Sequence, residues 1–344
     1  MTPRTLLTLA ALALATLPAA AELDKPMLYK HLQRSFNTPP GVEFELGEVK
    51  PSPIEGFMLG ALESRFRGNS QKHEILLSND GRYYVLSSVY ALKESGLPGL
   101  LVTEQAGGDD GAPVLHVTKD GKHFFMGEPK DLTVDPEKAT QERIRVKGVP
   151  GRGGPETAPI IVVEYSDLQC PYCKNAHLAL DEKLEATYGK KVRWVFKHFP
   201  LTSIHPWAYP AAIAMACASK QKPEAAFKME TAIFNQQESV TAANLREKVV
   251  EEAKKTGIKV ADFEQCFDKQ ETKDVVDADM AEARSIKVNS TPTIIVNGRT
   301  VQGFRDFDSL KAVIDEMLAE KEGKKKAEKK DDKKDDAKDE KKGG

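Results

Sequence analysis

The apolar run Pro159-Ile160-Ile161-Val162-Val163 leads into Glu164-Tyr165-Ser166-Asp167-Leu168-Gln169-Cys170-Pro171-Tyr172-Cys173, and a helix-forming segment over 174–188 follows. Strand, loop, Cys-X-X-Cys and helix in this order place two sulfurs at the start of a helix, which constrains fold and chemistry together. Pro171 suits the first helical position, where a missing N–H loses no hydrogen bond, so Cys170 falls at the N-cap. Its sulfur then meets unpaired backbone amides and the positive end of the helix dipole, which draws a thiol from about 8.5 into the range of roughly 3.5 to 7.5. Cys170 is the expected nucleophile, and Cys173, one turn in and shielded, the expected resolving thiol.

Two plainer readings compete. A zinc site needs four ligands, and neither a second Cys-X-X-Cys nor a His pair at ligand spacing is present. His177, four residues beyond Cys173 on the same helix face, reads as a surface histidine, so no metal is expected. A purely structural disulfide across so short a loop adds little entropic stabilisation.

At the start, residues 1–21 carry one early positive charge at Arg4, an apolar core over 6–17 and Ala19-Ala20-Ala21 as a small-residue cleavage site. That is the pattern of a secretory signal peptide, with an apolar core shorter than the roughly 20 residues a bilayer span takes. The expected location is the periplasm, where disulfides form and persist. A chain of 344 residues with 40% hydrophobic and 30% charged residues suffices for two domains. The formal net charge of -2, with both signs well mixed, argues against nucleic acid as a partner.

Residues 22–134 read as a small α+β domain. A short amphipathic helix over 25–36 stops at Pro39-Pro40-Gly41, and strands and turns follow. Asp80-Gly81 and Asp120-Gly121 each sit between strand-like segments, as hairpin turns needing positive φ do. They read as two hairpins of one antiparallel sheet. Residues 105–112 read as an exposed Gly- and Asp-rich loop. No catalytic constellation stands out here, and dimerisation or substrate holding are the two roles considered. Residues 135–157, with Gly148-Val149-Pro150-Gly151-Arg152-Gly153-Gly154-Pro155, read as a linker by composition.

Beyond the Cys-X-X-Cys helix, 192–198 alternates as a strand, and helical periodicity recurs over 206–220, 223–235, 241–256, 261–268 and 272–286. A hairpin over 293–302 turning at Asn297-Gly298 and a helix over 306–318 close the pattern. This order is α/β, a thioredoxin-like domain with an inserted helical subdomain over 158–320. Residues 321–344, almost all Lys, Asp and Glu, read as a disordered charged tail.

The segment 158–173 resembles the active-site segment of the DsbA-like thiol:disulfide oxidoreductases. Lys197-His198-Phe199-Pro200-Leu201 with His205-Pro206, and Ser290-Thr291-Pro292-Thr293 with Asn297-Gly298 and Gly303, extend the likeness over about 158–318. The N-terminal extension more distantly resembles the dimerisation domain of the disulfide isomerases DsbC and DsbG. The resemblance implies that Glu164 is a buried acid relaying the proton of Cys173, that Thr291-Pro292 is a cis-proline loop facing the sulfurs, and that Pro171 and Tyr172 border the substrate. It also supports a Cys217–Cys266 bridge between two helices of the insertion, against the alternative of two buried free thiols. Such a bridge would close a loop of about 50 residues, worth roughly 4 kcal/mol in the chain-entropy model.

The function so implied is disulfide exchange with exported cysteine-containing proteins. It needs no cofactor, and a DsbB-like or DsbD-like membrane partner would reset the pair. Oxidase, isomerase and reductase all lie within the resemblance, since direction follows the reduction potential. An exported chaperone or copper-sequestering module using the same cysteines is the reading from a different class.

Overall fold

The computed structural model describes residues 23–36, 38–39, 41–91, 115–301 and 304–339. The expected signal peptide over 1–21 and the expected loop over 105–112 lie outside them, as do Gln302 and Gly303. The chain forms two compact units, one from the chain up to Thr133 and one from Val134 onward, with residues 32–39 counted in the second.

Helix α1 (Lys25–Ser35) precedes the sheets of the first unit. Strands β1 (Glu43–Pro51), β2 (Phe57–Phe66), β3 (Asn69–Ser78), β4 (Tyr83–Leu86), β5 (Tyr90–Ala91), β6 (Leu115–Val117), β7 (His123–Met126) and β8 (Lys130–Asp131) follow. Among the described residues they form an antiparallel sheet in the order β1-β2-β3-β4-β8 and a small one in the order β5-β7-β6. The two Asp-Gly turns form as expected, with Gly81 at φ 70 and Gly121 at φ 65. They do not share one sheet, since β3 pairs with β4 in the larger and β6 with β7 in the smaller. Ile54, Leu76, Val85 and Phe125 form one apolar cluster of this unit.

The second unit opens where a linker was expected. Asp135 caps α2 (Pro136–Arg143), its carboxylate accepting from the Glu137 and Lys138 amides, and β9 (Arg152–Gly153) pairs antiparallel with the central sheet. Two glycines of this stretch serve close packing: a Cβ on Gly153 would meet the Val192 carbonyl at 2.6 Å, and one on Gly154 the Lys190 carbonyl at 2.5 Å. Composition alone cannot separate this use of glycine from a flexible one.

Next come β10 (Ile160–Ser166), α3 (Pro171–Tyr188) and β11 (Val192–His198). The helical insertion comprises α4 (Ala208–Gln221), α5 (Pro223–Asn235), α6 (Leu245–Thr256), α7 (Val260–Asp268) and α8 (Lys273–Ser285). Strands β12 (Thr293–Val296) and β13 (Arg299–Val301) and helix α9 (Phe307–Asp339) complete the unit. The sheet order is β13-β12-β10-β11-β9, with β10 and β11 parallel at its centre. This is a thioredoxin-like α/β layering with a helical subdomain inserted between β11 and β12. A Cys217–Cys266 disulfide joins α4 to α7 within the insertion.

Strand alternation decides what β10 buries on each side. Ile160 and Val162 pack with Ala176, Leu180 and Leu184 of α3 and with Leu310 and Ile314 of α9, whereas Val163 and Tyr165 join the core of the insertion. Each fully buried Leu or Ile contributes about 1.5–3 kcal/mol. The charged stretch expected as a disordered tail continues α9 to Asp339. Lys, Glu and Ala are strong helix formers, and no proline interrupts them after a helix nucleated on the core at Phe307.

The β12–β13 turn yields a direct test. Gly298 has φ 89, and a Cβ there would lie 1.8 Å from the Glu137 carbonyl oxygen of α2. Gly298→Ala is expected to destabilise the protein by at least about 2 kcal/mol, read as a lowered urea midpoint at unchanged slope.

Candidate functional site

Cys170 is the N-cap of α3, with extended backbone (φ -77, ψ 123) and Pro171 at the first helical position. The helix runs because Cys173, Ala176, His177, Leu180 and Leu184 form one buried stripe at three- and four-residue spacing. The two thiols are free, with Cys173 wholly buried and Cys170 4% exposed. Pro171 and Tyr172 face outward, Tyr172 at 71% exposure.

The two sulfurs are driven apart electrostatically. The Cys173 thiol donating to the Cys170 sulfur lowers the latter's pKa to about 6, against a desolvation cost, with further help from the Cys173 amide, Thr291 and the Tyr172 amide. Those two amides face the sulfur without closing a hydrogen bond of ordinary geometry, as expected of free N–H groups in a first helical turn. Burial pushes the Cys173 thiol well above its ordinary value, and a charged Cys170 nearby adds to it. The pair therefore offers one sulfur as thiolate near neutral pH while keeping the other protonated.

The peptide bond between Thr291 and Pro292 is cis, and the Cys170 thiol donates to the Thr291 carbonyl at 3.6 Å. The expected cis-proline loop thus lies against the first sulfur. Glu164 is wholly buried at 0% exposure, mid-strand rather than at a solvated end. Neither of its carboxylate oxygens has a hydrogen-bond partner, and His177 Nδ1 lies 3.7 Å from Oε2. His177 itself is a correction to the sequence reading. It is 0% exposed, enclosed by Trp194, Phe196 and Phe234, because it occupies the apolar stripe of α3.

Sequence reasoning missed the groups that hold the loop before Cys170. The buried Asp167 carboxylate accepts from the Gln169 amide (2.7 Å), the Leu201 amide (2.8 Å) and His205 Nδ1 (2.7 Å). The Asp167 amide donates to Cys173 Sγ at 3.4 Å. Gln237 Nε2, from beyond α5, donates to the carbonyls of Leu168 (2.9 Å) and Cys170 (3.0 Å), and Gln169 Oε1 accepts from the Trp207 amide (2.9 Å). Lys197, buried beneath the same region, pairs with Asp279 (2.9 Å) and Glu282 (3.1 Å). Among the described residues no cluster of His, Cys, Asp and Glu is placed to hold a metal ion, and no helix is long and apolar enough to cross a membrane.

A family model described as Thioredoxin matches residues 150–316. The Na(+)/H(+) antiporter NhaA 3 of Salinispora tropica is 33% identical over 161 residues, 47% of this chain and 24% of the antiporter. The chain thus spans about a quarter of the length of the curated relatives it matches. Among solved structures, oxidised BdbD from Bacillus subtilis is 25% identical with a TM-score of 0.47, covering 51% of this chain and 95% of that one. Alpha-DsbA1 from Wolbachia pipientis is 23% identical with a TM-score of 0.45, covering 53% and 96% respectively.

The pKa split predicts how the reduced protein responds to pH. A depressed Cys170 pKa stabilises the fold fully above the unfolded value of 9 and loses that contribution as pH falls toward about 6. The urea midpoint of the reduced protein, measured against Cys170→Ser, is expected to show an advantage that grows between those pH values. A pH-independent difference would contradict it.

Proposed function

We propose, from a thioredoxin-type domain carrying Cys-Pro-Tyr-Cys at a helix N-terminus, that this protein exchanges disulfides with cysteine-containing protein substrates. The observation that supports it is the opposite displacement of the two sulfurs, Cys170 toward thiolate and Cys173 toward thiol. A nucleophile must be ionised at working pH, while the resolving sulfur must stay silent until it is called on.

In the reductive direction, the Cys170 thiolate attacks a substrate disulfide, forming a Cys170–substrate disulfide and releasing one substrate thiolate. Cys173 then loses its proton and attacks Cys170, closing the Cys170–Cys173 disulfide and releasing the second substrate thiolate. Oxidation of a substrate dithiol is the same sequence reversed, and a membrane redox partner returns the pair to its starting state. Glu164 takes up the Cys173 proton. Thr291 and Pro292 present backbone to an extended substrate strand, with Pro171 and Tyr172 at its edge. The apolar leader supports export to the periplasm, where such exchange has substrates.

Cys173→Ala is expected to accumulate a mixed disulfide between Cys170 and a model peptide disulfide, detected by mass spectrometry under non-reducing conditions. Cys170→Ala should form none. Adducts at Cys173 in place of Cys170 would reverse the assignment.

A further inference from the structure

His177, Thr231 and Asp181, beyond Glu164, are polar groups to which the exchange reaction by itself gives no role. Ser166 and Glu164 are two residues apart on β10 and project toward α3, where Cys173 and His177 are one turn apart. Both spacings come to about 6 Å, so the two elements meet in matching rungs. Ser166 affects the Cys173 sulfur, and Glu164 Oε2 lies 3.7 Å from His177 Nδ1.

The far side of the imidazole continues the line. His177 Nε2 is 3.1 Å from Thr231 Oγ1 of α5, and that hydroxyl lies 3.1 Å from Asp181 Oδ2 and 3.0 Å from the Phe227 carbonyl. A threonine has one hydroxyl hydrogen, and both of these neighbours are pure acceptors. The hydrogen goes to one of them, so Oγ1 accepts from His177 and Nε2 carries the ring hydrogen. Nδ1 of a neutral ring then turns a lone pair on the Glu164 carboxylate. Two facing acceptors in a dry interior make a site for one proton.

The remaining charged neighbours fit this arrangement. Asp181 pairs with Arg152, whose guanidinium stacks on Trp194 at 5.4 Å and Phe227 at 5.5 Å. The side chains of Arg152 and Asp181 are 31% and 25% exposed, at a small cleft that Glu185 also lines. Burial first, and then the nearby Glu164, push the carboxyl of Glu230 on α5 well above its ordinary range.

We propose that Glu164, His177, Thr231 and Asp181 form a proton path leading from the buried side of Cys173 to the protein surface at Arg152. This rests on the exchange reading of Cys170 and Cys173 and adds the route by which the resolving thiol ionises. The Cys173 S–H bond breaks and its electron pair stays on sulfur for attack on the mixed disulfide. Its proton joins the Glu164–His177 pair at the Nδ1 side. Nε2 passes its hydrogen to Thr231 Oγ1, the threonine hydrogen moves to Asp181 Oδ2, and Asp181 releases one proton to solvent. One proton enters, one leaves, and no electrons travel along the path.

The test mixes reduced protein with excess oxidised glutathione and times release of the second glutathione by quenched flow across neutral pH, in light and heavy water. Thr231→Val keeps the side-chain shape and is expected to slow that release roughly tenfold on the acid side of neutrality. The deficit should close toward alkaline pH, where hydroxide takes the proton directly. Thr231→Ser should recover the rate and the solvent isotope effect, and Asp181→Asn should resemble Thr231→Val. Identical pH profiles for the native protein and Thr231→Val would overturn the path alone. A native protein inert to oxidised glutathione would overturn the exchange reading and the path with it. Imidazole nitrogen NMR gives a readout independent of exchange: hydrogen on Nε2 of His177 supports the path, and a bare Nε2 contradicts it.

Discussion

The first turn of α3 has amides with no partner inside the helix, and the residue placed to meet them is a cysteine. A side-chain oxygen at that position would close ordinary capping bonds, whereas a sulfur satisfies the amides best when it is charged. The demand of the helix end and the ionisation of the thiol are therefore one effect. The rest of the second unit serves to hold this end in place. β10 aims the loop, the Asp167 carboxylate ties it to the Leu201 amide and His205, and Gln237 holds the carbonyls of Leu168 and Cys170 from the insertion.

The insertion between β11 and β12 serves the same constraint. A bare thioredoxin-like layer would leave the start of α3 open on one side. With α4 to α8 in place, Cys170 and Cys173 join an apolar core that includes Trp207, Phe234 and Val240. Burial dominates at the second sulfur despite help from Ser166 and the Asp167 amide, whereas at the first the Cys173 thiol, two amides and Thr291 outweigh it. Some of the buried charges in this unit come in sets. Lys197 meets Asp279 and Glu282, with Arg145 also on Asp279. Such sets are costly to build and, once complete, costly to disturb.

What could be read from the sequence was what local rules control. The proline after Cys170 fixed the cap, Asp-Gly marked two turns, Asn297-Gly298 marked a third, and helical periodicity found the insertion. Two likenesses in the family motifs, the Thr291-Pro292 loop and the pairing of Cys217 with Cys266, correspond to a cis peptide bond and a disulfide in the structure. What local rules do not control stayed hidden. Gln237 reaches a carbonyl 67 residues earlier, and Thr231 meets a histidine 54 residues earlier. Neither residue type in its own segment signals that role. His177 did carry a signal, since it falls on the apolar stripe defined by Cys173, Ala176, Leu180 and Leu184, and a polar residue on such a stripe points to a buried partner. Composition marked 148–155 as a linker, yet Gly151, Gly153 and Gly154 pack closely on their neighbours, and the charged stretch from Lys321 continues α9.

The account turns on one sulfur being ionised near neutral pH while its neighbour keeps its proton. Titrating the ultraviolet thiolate absorbance of the reduced protein, with Cys173→Ala alongside to assign the signal, tests that directly. One thiolate should appear with a midpoint near pH 6 and the second only at strongly alkaline pH. Two thiolates rising together near the free-cysteine value of about 8.5 would contradict it.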